Sequence, residues 1–335
     1  MSQGVSKTRA EVKELEKLRQ LFLDAPKNSG LADYWQDPEL LELYDRTFAR
    51  RIGWKWSSVV TELSQRLWSP PQTISRWVDW GCGTGVASEV VLESFKDNLP
   101  KEILVTDRSA KARRFAQRKT ARRAPSLTSL ECAPQELHVS RTDLVLISHV
   151  LTELNPEQLQ DLTQLLTSAG ALIWVEPGTP FCSRRLVQVR KELSQHFHIV
   201  APCPHQGTCG AEDSQKDWCH MFAAPPTEVF HNPDWARFSK TMNIDLRSLP
   251  TSFLVLEHKS LRGPVVSPHP AEHAQISKQR MIARPRFYKG HARFLLCNDS
   301  GLKEASLGEK QHKKDFKQWQ RDSFFVEFTN VQDFD

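Results

Sequence analysis

Val78-Asp79-Trp80-Gly81-Cys82-Gly83-Thr84-Gly85 joins a short β-prone run, Arg76 to Trp80, to a segment with helical spacing. Glycine at alternate positions lets the backbone pass close beneath a ligand and leaves helix N-terminal N–H groups pointing at it. The spacing is G-x-G-x-G, and Val86 stands where the dinucleotide fingerprint G-x-G-x-x-G needs its third glycine. The acid two positions before the first glycine also departs from the dehydrogenase pattern. A tight strand-to-helix turn with no ligand is the plain alternative.

Outward from this turn, short apolar runs alternate with amphipathic segments, the signature of a parallel sheet covered on both faces. Strands are expected at Arg76 to Trp80, Ile103 to Thr106, Asp143 to Ser148 and Ala171 to Val175. Asn155, Pro156, the leucines at 159, 162, 165 and 166, and Gly170 punctuate a helix between the last two. Upstream, Ser6 to about Trp68 reads as a helical cap broken at Asn28-Ser29-Gly30 and closed by Ser69-Pro70-Pro71. From Ile199 to Pro250 the pattern dissolves into Pro, Gly, Cys and His, so something other than a hydrophobic core is expected to order it. Strand character returns at Phe253 to Glu257, Met281 to Ala283 and Ala292 to Leu296, with a last apolar run at Phe324 to Phe328. The expected architecture is α/β: a cap over 1–70, a Rossmann-like domain over 71–260 with a Cys-rich insertion at about 200–250, and a small β-containing extension over 261–335.

The 335 residues carry 45 Lys+Arg against 40 Asp+Glu, a formal net charge of +5. With 39% hydrophobic and 25% charged residues, collagen-like and mostly disordered classes are excluded. No apolar run approaches the ~20 residues of a bilayer helix. The first ten residues lack an apolar h-region and continue into a Glu-rich stretch, so the cytoplasm is the expected compartment and no membrane partner is expected.

Val78 to Gly85 resembles motif I of class I S-adenosylmethionine-dependent methyltransferases. The resemblance implies that Asp79 helps hold the amino-acid end of the cofactor, that Gly81, Cys82, Gly83 and Gly85 pass beneath it, and that Asp107, closing Ile103-Leu-Val-Thr-Asp107, binds its ribose. Methyl transfer is an in-line displacement, so the protein chiefly positions a nucleophile and at times takes its proton. The Asn/Asp-Pro-Pro-Tyr/Phe signature of amino methyltransferases is absent from Ser148-His-Val-Leu-Thr-Glu-Leu154. Cys182 could stand for the second of the two cysteines that RNA cytosine-C5 methylation uses, but nothing matches the first, which favours a structural role for it. His149 is the candidate general base, with a hydrogen-bonded histidine at a strand end as the alternative.

Of seven cysteines, Cys82, Cys132, Cys182 and Cys297 lie far apart, whereas Cys203, Cys209 and Cys219 fall in one segment with His205 and His220. In a chain of this type such a cluster reads as metal or redox chemistry before a disulfide framework, with scattered buried thiols as the alternative. The spacing lacks both the C-x2-C knuckle of structural zinc and the C-x3-C-x2-C of radical chemistry, so zinc and iron-sulfur both stay open. A fourth ligand comes from a histidine or from elsewhere in the chain, and Cys297, ending His291-Ala-Arg-Phe-Leu-Leu-Cys297, is a candidate that would staple the C-terminal segment to the fold.

Taken together, the chain resembles the methyltransferase-like assembly factors of the small ribosomal subunit found in mitochondria and bacterial relatives. The carrying residues are Tyr34-Trp35, Phe48 to Trp56, Val78 to Gly85, Ser148 to Leu154, Val175 to Pro180, Ala201 to His205, Asp217 to His220, and Arg284-Pro285 before the strand to Cys297. The resemblance, over about 34–328, implies a 4Fe-4S cluster on Cys203, Cys209, Cys219 and Cys297, a retained S-adenosylmethionine pocket, and binding to small-subunit precursors and their rRNA. The tail departs from the family's Trp-Gly-Asp-like ending, reading Trp319-Gln-Arg-Asp-Ser-Phe-Phe. Charge distribution adds two acid-free basic stripes, Arg108 to Arg123 and Lys278 to Arg293. The second interleaves Phe287 and Tyr288 and makes Arg284, Arg286, Lys289 and Arg293 the candidate RNA contacts; a solvated basic helix is the alternative for the first. Rival functions are an active rRNA methyltransferase and a zinc-stabilised methyltransferase of a small molecule or protein. A monomer is expected for the free protein.

Overall fold

A computed structural model describes residues 8–24, 33–35, 37–261 and 279–321. Asn28-Ser29-Gly30, Lys278 and the run Phe324 to Phe328 lie outside the described residues.

Three helices lead the described chain: α1 (Arg9–Asp24), α2 (Pro38–Asp45) and α3 (Phe48–Gln65). A βα array follows, with β1 (Arg76–Trp80), α4 (Val86–Ser94), β2 (Glu102–Thr106), α5 (Ala110–Arg123), β3 (Thr128–Cys132), β4 (Asp143–Ser148), α6 (Pro156–Leu166), β5 (Ala171–Pro177), α7 (Pro180–Leu193) and β6 (Phe197–Ala201). Beyond it lie β7 (Met221–Ala223), α8 (Glu228–His231), α9 (Pro233–Met242) and β8 (Leu249–His258). The main sheet runs β3-β2-β1-β4-β5-β8-β6, with β7 also on β8. β1 to β5 are mutually parallel, and β8 inserts antiparallel between β5 and β6.

Period-two burial divides the central strands between two cores. Leu144 and Leu146 of β4, with Ile173 and Val175 of β5, face Trp56, Val59 and Leu63 of α3. Val145, Ile147, Leu172 and Trp174 face Cys182, Leu186 and Val189 of α7. Full burial of such side chains contributes roughly 1.5–3 kcal/mol each, so α3 is built into the sheet's core. The helix at 156–166 starts as its punctuation demands: Asn155 Oδ1 accepts from Gln158 N, and Gln158 Oε1 accepts from Asn155 N, a reciprocal capping box.

The expectation for Ile199 to Pro250 is corrected in its second half. Trp235, Phe238 and Met242, at helical spacing on α9, join Val229 and Leu246 in an apolar cluster with Leu15, Leu43 and Trp54 of the N-terminal helices. A hydrophobic core does order that half. Only the Pro- and Cys-rich stretch from Pro202 to His220 lacks regular elements.

The C-terminal extension is a separate antiparallel sheet of β9 (Arg280–Tyr288), β10 (His291–Asn298) and β11 (Gly301–Gly308), covered by α10 (Lys313–Arg321) through Phe294, Phe316 and Trp319. It is fastened to the rest by Arg280, which donates to Glu62 of α3, its Nη2 at 2.7 Å from Oε2, and by Ala283 N donating to His220 O at 2.8 Å. Gly210 abuts the β10–β11 turn: a Cβ there would lie 2.3 Å from Leu302 N and 2.6 Å from Gly301 C. Gly210→Ala must push the C-terminal sheet away from the Cys-rich segment. It is expected to cost about 2 kcal/mol or more, seen as a lowered midpoint in urea.

Candidate functional site

The glycine turn sits at the C-terminal ends of β1 and β2. Gly81, Gly83 and Gly85 all have positive φ, at 67°, 48° and 72°, which explains why glycine alternates there. A Cβ on Gly83 would meet nothing within 4 Å, whereas one on Gly81 would lie 2.8 Å from Val150 and one on Gly85 3.1 Å from Ala116. The turn therefore packs against Val150, just beyond β4, and against α5 on its flanks, and it opens to space at Gly83. Cys82 supplies its backbone to the turn, its N–H donating to Thr106 O and its carbonyl accepting from Gly85 N. Its thiol is buried, and burial followed by Asp107 and Asp79 drives the thiol pKa well up, so it packs as an inert group.

Asp79 is fully buried. Its Oδ2 accepts from Ser88 Oγ at 2.6 Å and from Ser88 N at 3.3 Å, tying off the first turn of α4. Its Oδ1 is buried with no hydrogen-bond partner, as is Thr84 Oγ1. Burial pushes the Asp79 carboxyl up to about 7 against the opposing Ser88 hydrogen bonds. Asp107 accepts from Gly83 N at 3.0 Å and Ser109 N at 2.9 Å, linking the second acid to the turn. Burial raises its pKa as well. Two orphaned buried oxygens beside an open glycine fit a polar ligand that brings its own donors, as the amino-acid end of S-adenosylmethionine does.

At the end of β4, His149 has φ 56° and a partner at each ring nitrogen: Nε2 lies 3.3 Å from Lys55 Nζ and Nδ1 3.4 Å from Ser148 Oγ. Burial, then the positive charges of Lys55 and Arg51, lowers its pKa well below the ordinary histidine value. The neutral ring is thus held by its neighbours, which favours the hydrogen-bonded strand-end histidine over a free base. Two groups that sequence reasoning misses complete this corner. Lys55 is only 1% exposed. Glu176 of β5 is fully buried; its Oε1 accepts from Val150 N, Leu151 N and Trp174 Nε1, and its Oε2 has no partner. Gly53-Trp54-Lys55-Trp56 held a signal for the first, a lysine set among residues that only a core accepts.

Of the four proposed ligand cysteines, Cys203 follows β6, Cys219 precedes β7, Cys297 lies on β10 and Cys209 falls in the irregular segment between β6 and β7. The thiols of Cys219 and Cys297 are raised first by burial and then by the neighbouring thiols, Cys203 and Cys209 acting on both, and Cys297 reaches about 12. Arg190 of α7 donates through Nε to Cys203 Sγ at 3.3 Å and through Nη2 to Gly207 O at 2.6 Å. His205 Nε2 lies 3.6 Å from Cys297 Sγ. His220 turns away, stacked on Trp218 at 4.8 Å with Nδ1 at 3.0 Å from the Trp218 carbonyl oxygen. Among the described residues no three His, Cys, Asp or Glu side chains are arranged to hold a single metal ion. Cys182 is fully buried in the α7 core, and Cys132 sits at its margin.

The basic stripes fare unequally. In α5, Arg113 pairs with Glu131 at 2.8 Å, Lys119 with Asp45 and Glu89 at 2.7 and 2.8 Å, and Arg123 with Glu93. Acids remote in sequence thus neutralise much of the first stripe. In the second, Arg280 is bound to Glu62, and Arg284 lies over the Phe222 ring at 4.0 Å and donates to Ser248 Oγ at 3.1 Å. Arg286, Lys289 and Arg293 lie on the exposed hairpin of β9 and β10, Arg286 paired with Asp217 at 3.2 Å and Arg293 with Glu304 at 3.5 Å. Arg286 and Arg293 are direct cross-strand partners.

A parallel sheet in the order 3-2-1-4-5, an antiparallel strand set between the fifth and sixth strands, and a glycine turn flanked by two strand-end acids define a class I S-adenosylmethionine-dependent methyltransferase fold. Residues 49–324 match the family described as mitochondrial small ribosomal subunit Rsm22, and the chain belongs to that family. Similar solved structures include a putative RNA methyltransferase from Pyrococcus horikoshii, 12% identical, TM-score 0.37, covering 72% of this chain and 96% of that one. Magnesium protoporphyrin IX methyltransferase from Synechocystis is also 12% identical, with TM-score 0.38 and coverage of 74% and 100%. A putative class I methyltransferase from Listeria monocytogenes is 14% identical, with TM-score 0.37 and coverage of 78% and 71%. No curated protein matches the chain. Among the described residues no helix is long and apolar enough to cross a membrane.

Proposed function

We propose that this protein binds S-adenosylmethionine and a 4Fe-4S cluster and engages small-subunit rRNA as an assembly factor of the small ribosomal subunit, acting in the cytoplasm. Its main support is family membership over residues 49–324. The cofactor would be held by Asp79, the glycine turn and Asp107; when bound it supplies a methyl group on sulfonium. The protein residues at the end of β4 favour a scaffold role, since His149 has both ring nitrogens engaged.

For the metal, the cluster is what the family resemblance implies for Cys203, Cys209, Cys219 and Cys297, and in its favour the Cys219 and Cys297 thiols are each acted on by other members of the set. Anaerobic purification with absorption spectra and metal analysis tests this; a colourless, zinc-loaded protein overturns it.

For the RNA, Arg286 and Arg293 stand opposite one another on exposed strands with Lys289 at the turn between them, and although Asp217 and Glu304 pair with the two arginines at 3.2 and 3.5 Å, such half-exposed pairs are weak enough for a phosphate backbone to compete with them. Arg286→Glu combined with Lys289→Glu is expected to weaken co-sedimentation with small-subunit precursors by at least ~10-fold and flatten its salt dependence by about two phosphate contacts. Unchanged association would remove the hairpin from the interface. Mapping rRNA methylation with and without the gene separates the scaffold from an active methyltransferase.

A further inference from the structure

Two basic side chains one helical turn apart on α3, Lys55 and Arg51, have no carboxylate in contact among the described residues, Glu176 acting on the first and Asp245 on the second only at longer range. Lys55 is 1% exposed, and its Nζ has a neutral imidazole, His149, as its partner at 3.3 Å. Arg51 is half-buried; its Nη2 donates to Ser248 O at 3.4 Å, and its buried Nε has no hydrogen-bond partner. Neither forms an ion pair among the described residues. Burial and mutual repulsion both lower the pKa of Lys55, with Glu176 opposing, and burial lowers that of Arg51, with Asp245 opposing and Arg19 adding to it. Buried positive charge is ordinarily matched by a carboxylate or a bound anion, because desolvating it alone is expensive.

The position of this pair relates it to the glycine turn. Lys55 meets His149, the next residue Val150 meets Gly81, and Trp56 Nε1 donates to Ser148 Oγ at 2.9 Å. Lys55 on α3 and the orphaned Asp79 Oδ1 on β1 therefore border the same end of the sheet, with Arg51 one turn before Lys55 on the same helix. A ligand carrying a carboxylate beside an ammonium satisfies both.

We infer that Lys55 and Arg51 form the receptor for the α-carboxylate of the bound S-adenosyl cofactor, opposite the Asp79 receptor for its ammonium. This rests on the cofactor reading above and adds a specificity: the site selects the complete amino acid, not merely an adenosyl group. Charge-assisted hydrogen bonds in a desolvated site discriminate by about 10- to 100-fold.

The test is calorimetric binding of S-adenosylmethionine and of its decarboxylated form, which keeps the amine and sulfonium and lacks the carboxylate. The wild type is expected to prefer the parent compound by about 10- to 100-fold, and Lys55→Met to bring that ratio to within about threefold. Arg51→Gln, on the less buried position, is expected to shrink the ratio by a smaller factor and guards against a misfolded Lys55 variant. Equal wild-type affinity for both compounds overturns the inference and leaves the cofactor reading standing. Variants that weaken both compounds equally also overturn it, because Lys55 is then only a support for His149 and Glu176. If the wild type binds neither compound, the cofactor reading itself fails, and the receptor with it.

Discussion

Cys219→Ser is expected to give colourless protein, destabilised by more than about 4 kcal/mol, the scale of a lost structural metal group. Without a cluster the change is small: a buried thiol exchanged for a hydroxyl of similar size, costing about 1–2 kcal/mol for the polar group. With a cluster, one substitution removes a ligand from a clip joining the Pro202–His220 segment to Cys297 on β10. That clip matters because the segment has no regular elements of its own. Its other links to the C-terminal sheet are polar and local: Ala283 N to His220 O, Arg280 Nη1 to Pro202 O at 3.3 Å, Arg286 to Asp217 at 3.2 Å, His205 Nε2 beside Cys297 Sγ at 3.6 Å, and the backbone approach of Gly210 to Gly301. Cys182→Ser is the control, since that thiol lies in the α7 core and should retain the colour while losing only packing energy. Absorption and denaturation of the two variants, purified anaerobically, separate the cases; equal, modest losses with no colour change would remove Cys219 from the ligand set.

What can be read from the chain alone is whatever depends on neighbours in sequence. The glycine turn announces itself because positive φ demands glycine at 81, 83 and 85, and the 156–166 helix because its cap is local. The missed elements owe their existence to distant partners. β3, Thr-Ser-Leu-Glu-Cys, has only edge burial and forms because β2 offers it a ladder. The α9 helix is hidden by its surroundings of Pro and Cys, although Trp235, Phe238 and Met242 carry the right spacing. Charge misleads in the same way. Arg108 to Arg123 contains no acid, yet Asp45, Glu89, Glu93 and Glu131 come to it through the fold. Lys55 and Glu176 gain meaning only from burial, which a single lysine or glutamate does not advertise.

Asp79→Asn is expected to stabilise the cofactor-free protein at pH 8 by about 1–3 kcal/mol while weakening cofactor binding by about 100-fold. Burial raises the wild-type carboxyl to about 7, against an ordinary value of about 3.9 in the unfolded chain. A group whose folded pKa is raised contributes stability below its unfolded pKa and loses it as pH climbs through the folded pKa. Between those two values each step of one pH unit removes up to ~1.4 kcal/mol, roughly 4 kcal/mol in full. Asparagine never ionises, so it escapes the loss. Its side-chain oxygen still accepts from Ser88 N and Oγ, and its amide takes the place of the orphaned Oδ1 at the cost of an unpaired donor. The advantage should therefore be present at pH 8 and vanish near pH 5, where wild-type Asp79 is itself protonated. A bound ammonium reverses the order, because it supplies the charge partner that Asp79 lacks and asparagine cannot use. Thermal denaturation at pH 5 and 8, with and without S-adenosylmethionine, covers all four conditions. An asparagine variant less stable than wild type at pH 8 without cofactor would mean that Asp79 is already matched by the protein, and that the orphaned oxygen is not a receptor.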